Sequence, residues 1–303
     1  MTFFTRRQTA ARRLLAVARF GLLACLPSLP ALAQHKPYEP LPVTYDRAAE
    51  ADADLRVLIE TLRGAVSRLD LASVDAELAP SVMVYECDAD PAKACPEVAL
   101  APTTPVKITG VAKPVRVSKT ASAKAEAKLA ALAKLPPAQR LRAGLCCRDV
   151  PVQHITKAMR EEAVLGFVGA ALEEETLGAH PGLAGAVCLP AWPTFDRAKA
   201  AQMAVNADIE NANLRVATAE LSLREKPAKD ASEVAKIAKG EAIAFVTDAA
   251  DSLPDSWSAI ALPAGGIGYT DEGGLGDLTP AGLCFARDAA GKWKISAAIQ
   301  RHS

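Results

Sequence analysis

Between Leu214 and Leu275, apolar and polar residues alternate in short segments separated by turn formers. The segments are Leu214-Arg215-Val216, Leu221-Ser222-Leu223-Arg224, Val234-Ala235-Lys236-Ile237, Ala242-Ile243-Ala244-Phe245-Val246, Trp257-Ser258-Ala259-Ile260-Ala261 and Gly266-Ile267-Gly268-Tyr269-Thr270. A period of two puts successive side chains on opposite faces, so these read as strands with one buried face. Composition changes over the same stretch. Residues 34–191 hold four aromatic side chains and residues 192–303 hold seven. That shift marks a boundary and supplies the bulk that a small β interior needs.

The succession resembles a bacterial SH3-type domain. Leu221 to Arg224 is similar to that family's apolar-x-apolar-Arg opening strand, and Pro227 to its proline-bearing loop. Val234-x-x-Ile237-x-x-Gly240 is similar to its step into the next strand, Trp257 to its Trp strand, and Gly268-Tyr269-Thr270 with Leu275 to its closing segment. There are departures: Lys226 stands where Gly often precedes the proline, Tyr269 replaces Trp, Thr270 replaces Val, and the loop 247–256 is long and acidic. The resemblance implies a small closed barrel. Leu221, Leu223, Val234, Ile237, Ile243, Phe245 and Ile260 would face inward, with Lys239-Gly240 as a turn. It also implies that Trp257 and Tyr269 contact a ligand, a peptidoglycan peptide or a protein segment.

Beyond the barrel, Gly282–Arg287 and Lys292–Ser296 flank Asp288–Gly291 and read as a hairpin, with Phe285, Trp293 and Ile295 on one face. Such a pair looks like the close of nuclear-transport-factor-2-like sheets. It is also similar to the tail of exported bacterial proteins with a late SH3-type domain.

The first 33 residues carry five arginines and no Lys, Asp or Glu, then an apolar run from Leu14 to Leu26, and end Ala31-Leu32-Ala33. A basic start, a short apolar stretch and a small-x-small end predict a signal peptide and an exported, periplasmic or secreted chain. Leu22-Leu23-Ala24-Cys25 resembles a lipoprotein box, and Thr5-Arg6-Arg7 a twin-arginine signal. The ordinary secretory route is favoured over both. Formal charge is zero over the whole chain, and removal of residues 1–33 leaves 30 basic against 35 acidic residues. A mildly acidic chain is not a nucleic-acid binder in bulk.

His35 to Thr44, with three prolines, reads as a flexible leader. Leu55, Leu58, Ile59, Leu62, Ala65, Val66 and Leu69 recur at helical spacing. Asp70 and Ser73 open a second short helix through Val74, Leu78 and Ala79 that Pro80 ends, and Ser81–Tyr85 is a strand. This opening looks like the start of nuclear-transport-factor-2-like folds. Val106–Val111 and Val115–Val117 read as strands. The Ala- and Lys-rich stretch 119–142 reads as an exposed helix stopped by Pro136-Pro137, and a further helix is expected from about Thr156 to Thr176. The stretch 100–190 as a whole has no clear counterpart in the families named.

Six cysteines follow the signal: Cys87, Cys95, Cys146, Cys147, Cys188 and Cys284. An even count in an exported chain suggests disulfides. Cys87 and Cys95 bracket a short polar loop and form the favoured pair. Cys146 and Cys147, being neighbours, are expected to bond elsewhere, with Cys188 and Cys284 as the available mates. Cys146, Cys147 and His154 lack metal-knuckle spacing, so no metal is expected. None of His35, His154, His180 and His302 has a nucleophile signature around it, and Glu161-Glu162 and Glu173-Glu174-Glu175 read as solvated charge.

The predicted fold class is α+β. It comprises a signal peptide (1–33), a helix-plus-sheet domain resembling nuclear-transport-factor-2-like folds (34–205), an SH3-like barrel (210–278) and a closing hairpin packed on the first domain (279–303). The expected function is that of a non-enzymatic envelope protein whose SH3-like domain binds peptidoglycan peptide or a protein segment. The alternatives are a cell-wall hydrolase anchored by that domain and a small-molecule pocket in the first. No cofactor, no catalytic residue and no membrane span in the mature chain are expected.

Overall fold

A computed structural model describes residues 35–88, 134–147, 150, 154–247, 253–271 and 273–302. The expected signal segment with Cys25, and also Cys95, the strands at 106–111 and 115–117, and residues 119–133 lie outside the described residues. The chain is a mixed α+β protein with two sheets.

Its first elements are β1 (Leu41–Pro42), a 3-10 turn (Ala48–Ala51), α1 (Ala53–Ser67), α2 (Leu71–Ala76) and β2 (Leu78–Asp88). Asp52 caps α1 by accepting from the Leu55 N–H at 3.1 Å. Leu55, Leu58, Ile59, Leu62 and Ala65 then form its buried stripe. Leu69 does not continue that stripe; it is 73% exposed. The helix ends one turn earlier in a Schellman arrangement. Leu69 N–H bonds Val66 C=O (2.9 Å) and Asp70 N–H bonds Ala65 C=O (2.9 Å), with Leu69 at φ 55°. Asp70 in turn caps α2 through the Ser73 N–H at 3.1 Å. Pro80 is not a helix stop: α2 is over by Ala76, and Pro80 lies inside β2. It falls on an edge strand, in the stretch where the β2–β13 register slips, so its missing N–H leaves no ladder bond unmade.

Next come α3 (Pro137–Leu145), α4 (Lys157–Glu173), β3 (Gly178–Ala179), β4 (Val187–Leu189) and α5 (Arg197–Asn206). Pro136 and Pro137 stand at the start of a helix, α3, since proline suits the first helical position. The chain then forms β5 (Leu214–Ala217), β6 (Leu221–Arg224), β7 (Glu233–Ile237), β8 (Glu241–Phe245), β9 (Ser258–Ala261), β10 (Ile267–Thr270) and β11 (Leu275–Asp277). It closes with β12 (Gly282–Arg287) and β13 (Trp293–His302).

One sheet runs β2-β13-β12-β4-β3, so the final hairpin pairs with β2 and β4, strands that precede the second sheet's run of strands from β5 onward. Helices α1, α3 and α4 cover one face, burying Leu62, Leu141, Val168, Phe285 and Ile295 in a common core. Trp293 packs against the same core. Each large side chain so buried contributes about 1.5–3 kcal/mol. The opposite face holds Cys188, Cys284, Trp192, Ala297 and Ile299. Strict alternation would put Ile295, Ala297 and Ile299 on the same side. The register slip between Cys284 and Phe285 leaves Ser296 as an extra residue, and its Oγ donates to the Cys284 carbonyl at 3.2 Å. This bulge turns Ile295 toward the helices while Ala297 and Ile299 stay on the other face.

The second sheet runs β11-β5-β8-β9-β10-β6-β7, with β1 added to β8. Leu221, Leu223, Ile237, Ile243 and Ile260 are buried in a cluster made solely of residues from 217 to 275. The sheet therefore curls over its own side chains. Its pairings nevertheless stay an open path, not the closed barrel expected. Phe245 sits at the margin of the cluster, and Val234 is outside it, 45% exposed. Val234 and Ile237 are three apart on one strand, so a period of two cannot bury both on one face. Lys239-Gly240 turns as expected, with Gly240 at φ 84°. There the Gly240 carbonyl accepts from Val43 N–H at 2.7 Å.

The other face of this sheet is covered by α5 and by residues 38–43. The proline-rich stretch is thus a strap rather than a flexible leader. Lys36 N–H bonds Asn206 C=O (2.9 Å) and Tyr38 N–H bonds Pro263 C=O (3.0 Å); Leu41 pairs with Ala242, and Thr44 exchanges bonds with Thr194. Pro37, Pro40 and Pro42 occupy positions that need no donor, and they hold the intervening residues extended.

Candidate functional site

Tyr269 on β10 is the register partner of Ala259 on β9, and Trp257 stands two residues before Ala259. Strand alternation sets the Tyr269 side chain on the Ala259 side of the sheet, while Trp257 stands just ahead of β9. Both are half-buried. Tyr269 packs against the cluster that includes Tyr38, Ala259 and Ala261. Trp257 leaves a turn in which its N–H bonds Pro254 C=O at 3.1 Å and Ser256 has φ 74°. Gly268 permits β10 to approach β6, since a Cβ there would meet Leu223 Cβ at 2.9 Å. Polar groups flank Tyr269 across and beyond its strand. Arg224, the cross-strand partner of Tyr269, donates to Ala231 C=O at 2.9 Å, and Lys229 reaches Asp271 at 3.6 Å.

The strap ends beside this region. Tyr38 Oη donates to the Ala261 carbonyl at 2.6 Å, and burial pushes the Tyr38 phenol well above its ordinary pKa. His35 is buried, with Nδ1 donating to the Ala207 carbonyl. The strap escapes local sequence patterns as part of this surface, because its partners lie 150 or more residues away in the chain.

The cysteines and histidines occupy separate places. Cys188 and Cys284 are directly opposite on β4 and β12 and are disulfide-bonded. Cys146 and Cys147 are bonded to each other, contrary to the expectation that they pair elsewhere. The reason is topological: Cys188 and Cys284 face each other across one ladder, which leaves neither as a mate. Cys87 is also disulfide-bonded, while Cys95, the expected mate, lies outside the described residues. His180 packs against Trp192 in a tilted arrangement, ring centroids 4.4 Å apart, and burial pushes its imidazole pKa down to about 4. Among the described residues, no group of three His, Cys, Asp or Glu is placed to hold a metal ion, and no helix is long and apolar enough to cross a membrane.

No protein-family model matches the chain, and neither curated proteins nor solved structures include a significant match to it.

Proposed function

We propose that this chain is an exported, non-enzymatic protein of the cell envelope, and that its second sheet is an SH3-like module binding a peptidoglycan peptide or a protein segment through Trp257 and Tyr269. The carrying observation is the state of these two aromatics. Both stand at the β9–β10 pair, Trp257 just ahead of β9 and Tyr269 on β10, and both stay only partly buried, while the apolar interior is filled by Leu221, Leu223, Ile243 and Ile260. Partly buried aromatics with polar groups nearby suit peptide recognition, where rings supply contact area and polar groups supply direction. The disulfides support an oxidising compartment.

Sedimentation with purified peptidoglycan, together with cross-linking in envelope fractions, tests this reading. The intact protein is expected to be retained. Trp257→Ala with Tyr269→Ala should lose most of that retention while melting as a folded protein. Absence of both peptidoglycan binding and any envelope partner would remove the proposal.

A further inference from the structure

We infer that the cleft between α1 and the segment following α4 binds a zwitterionic ligand, an amino acid or short peptide with a free amine and a free carboxylate. The cleft encloses about 550 Å³, a size suited to a small molecule. Its floor is apolar, made by Ile59, Leu177 and Leu189, all buried.

The charges on its walls sort into those already matched and those left over. Arg63 is engaged at all three nitrogens: Nε donates to Leu172 C=O at 2.9 Å, Nη1 to Glu60 at 2.6 Å and Nη2 to Glu174 C=O at 3.4 Å. It thereby pins the chain after α4 against α1 and neutralises Glu60. Arg47 and Glu50 pair with each other at 3.6 Å. Among the described residues, Arg56 donates only through its Nε, to the Glu50 carbonyl at 2.8 Å. Among the described residues, no ion pair engages Arg56, Glu174 or Glu175. One guanidinium and two carboxylates thus stand over an apolar floor.

A guanidinium takes a carboxylate through two parallel N–H bonds. The carboxylates of Glu174 and Glu175 take an ammonium, and Ile59, Leu177 and Leu189 take an aliphatic side chain. A simple anion would meet two carboxylates for one cation, and a neutral apolar ligand would leave all three charges unmatched. The site is separate from Trp257 and Tyr269, so it stands or falls independently of the proposed module.

The test is titration of the purified mature chain with alanyl-leucine, its N-acetyl form and its C-terminal amide, followed by NMR shifts. The free dipeptide is expected to bind saturably, and each blocked form roughly tenfold more weakly. Arg56→Gln should erase the preference for the free carboxylate over the amide. Glu174→Gln with Glu175→Gln should erase the preference for the free amine over the acetyl form. All three side chains are exposed, and wild-type melting of the variants verifies their folding. No saturable binding of the dipeptide up to about 10 mM, or equal binding of the blocked forms, overturns the inference.

Discussion

Asp277 on β11 and Arg301 on β13 form an ion pair that joins the curled sheet to the helix-covered sheet. The second carboxylate oxygen of Asp277 faces Arg215 Nε at 3.4 Å. Arg215 is anchored by carbonyls of Ala212 (2.6 Å) and Leu214 (2.9 Å), and burial lowers its pKa while Asp277 raises it. One acid therefore serves two guanidinium groups.

Asp277→Asn leaves Arg215 and Arg301 without their shared anion. Partial exposure limits the cost to about 1 kcal/mol, or a melting point lower by about 2–4 °C. The gap from wild type should narrow in about 1 M salt, where screening removes most of the charge term. Thermal melts at low and high salt check both parts, and a gap that ignores salt would count against the ionic explanation.

His180 gives stability a dependence on pH. Its Nδ1 accepts from Gly182 N–H at 3.0 Å, and burial with a secondary contribution from Arg197 holds its pKa at about 4. The unfolded chain takes up a proton near about pH 6.5, while the folded chain does not. Stability is therefore expected to fall as pH drops from about 6.5 towards 4. His180→Gln should lose part of that slope. Urea unfolding at about pH 7 and pH 5 measures it; an unchanged slope would show that other groups control it.

Leu69 is an exposed non-glycine residue in the left-handed region at the end of α1. Leu69→Gly removes that conformational cost, about 1 kcal/mol. The variant is expected to melt higher, by up to about 2–4 °C, with the added freedom of its unfolded chain offsetting part of the gain. A lower melting point would show that the loop tolerates leucine without strain.

The two described disulfides should differ in weight. Cys188 and Cys284 are 96 residues apart and fully buried, so their bond restricts a long loop of the unfolded chain. Cys188→Ala with Cys284→Ala is expected to cost about 2–5 kcal/mol. Cys146→Ala with Cys147→Ala removes a bond between neighbours that closes almost no loop, and should cost far less. Denaturant midpoints of the two double variants decide the order.

Much of the curled sheet was readable in the residues. Leu221 and Leu223, like Ile243 and Phe245, announce a period of two, and that is a local property. The spacing of Leu55, Leu58, Ile59 and Leu62 likewise revealed the buried stripe of α1. What escaped depends on distant partners. The prolines of the strap look like breaks until Asn206, Ala242 and Thr194 are brought beside them. The short strand β4 is defined by β12, about 100 residues later, and β3 in turn by β4. The alanine-rich helix α5 carried too weak a stripe to stand out before the sheet gave it a surface. The Arg56 cleft combines three segments that no spacing rule connects.

The parallel pairing of β2 with β13 joins residues 78–88 to the last strand described. A chain delivered from its N-terminus must hold α1 and β2 with an unfinished underside until its closing residues arrive, although the intervening curled sheet can already be complete. Late-arriving partners of this kind slow folding. Truncations in the final hairpin should therefore be read out as failure of the earliest-made helix to settle, far from the site of the cut.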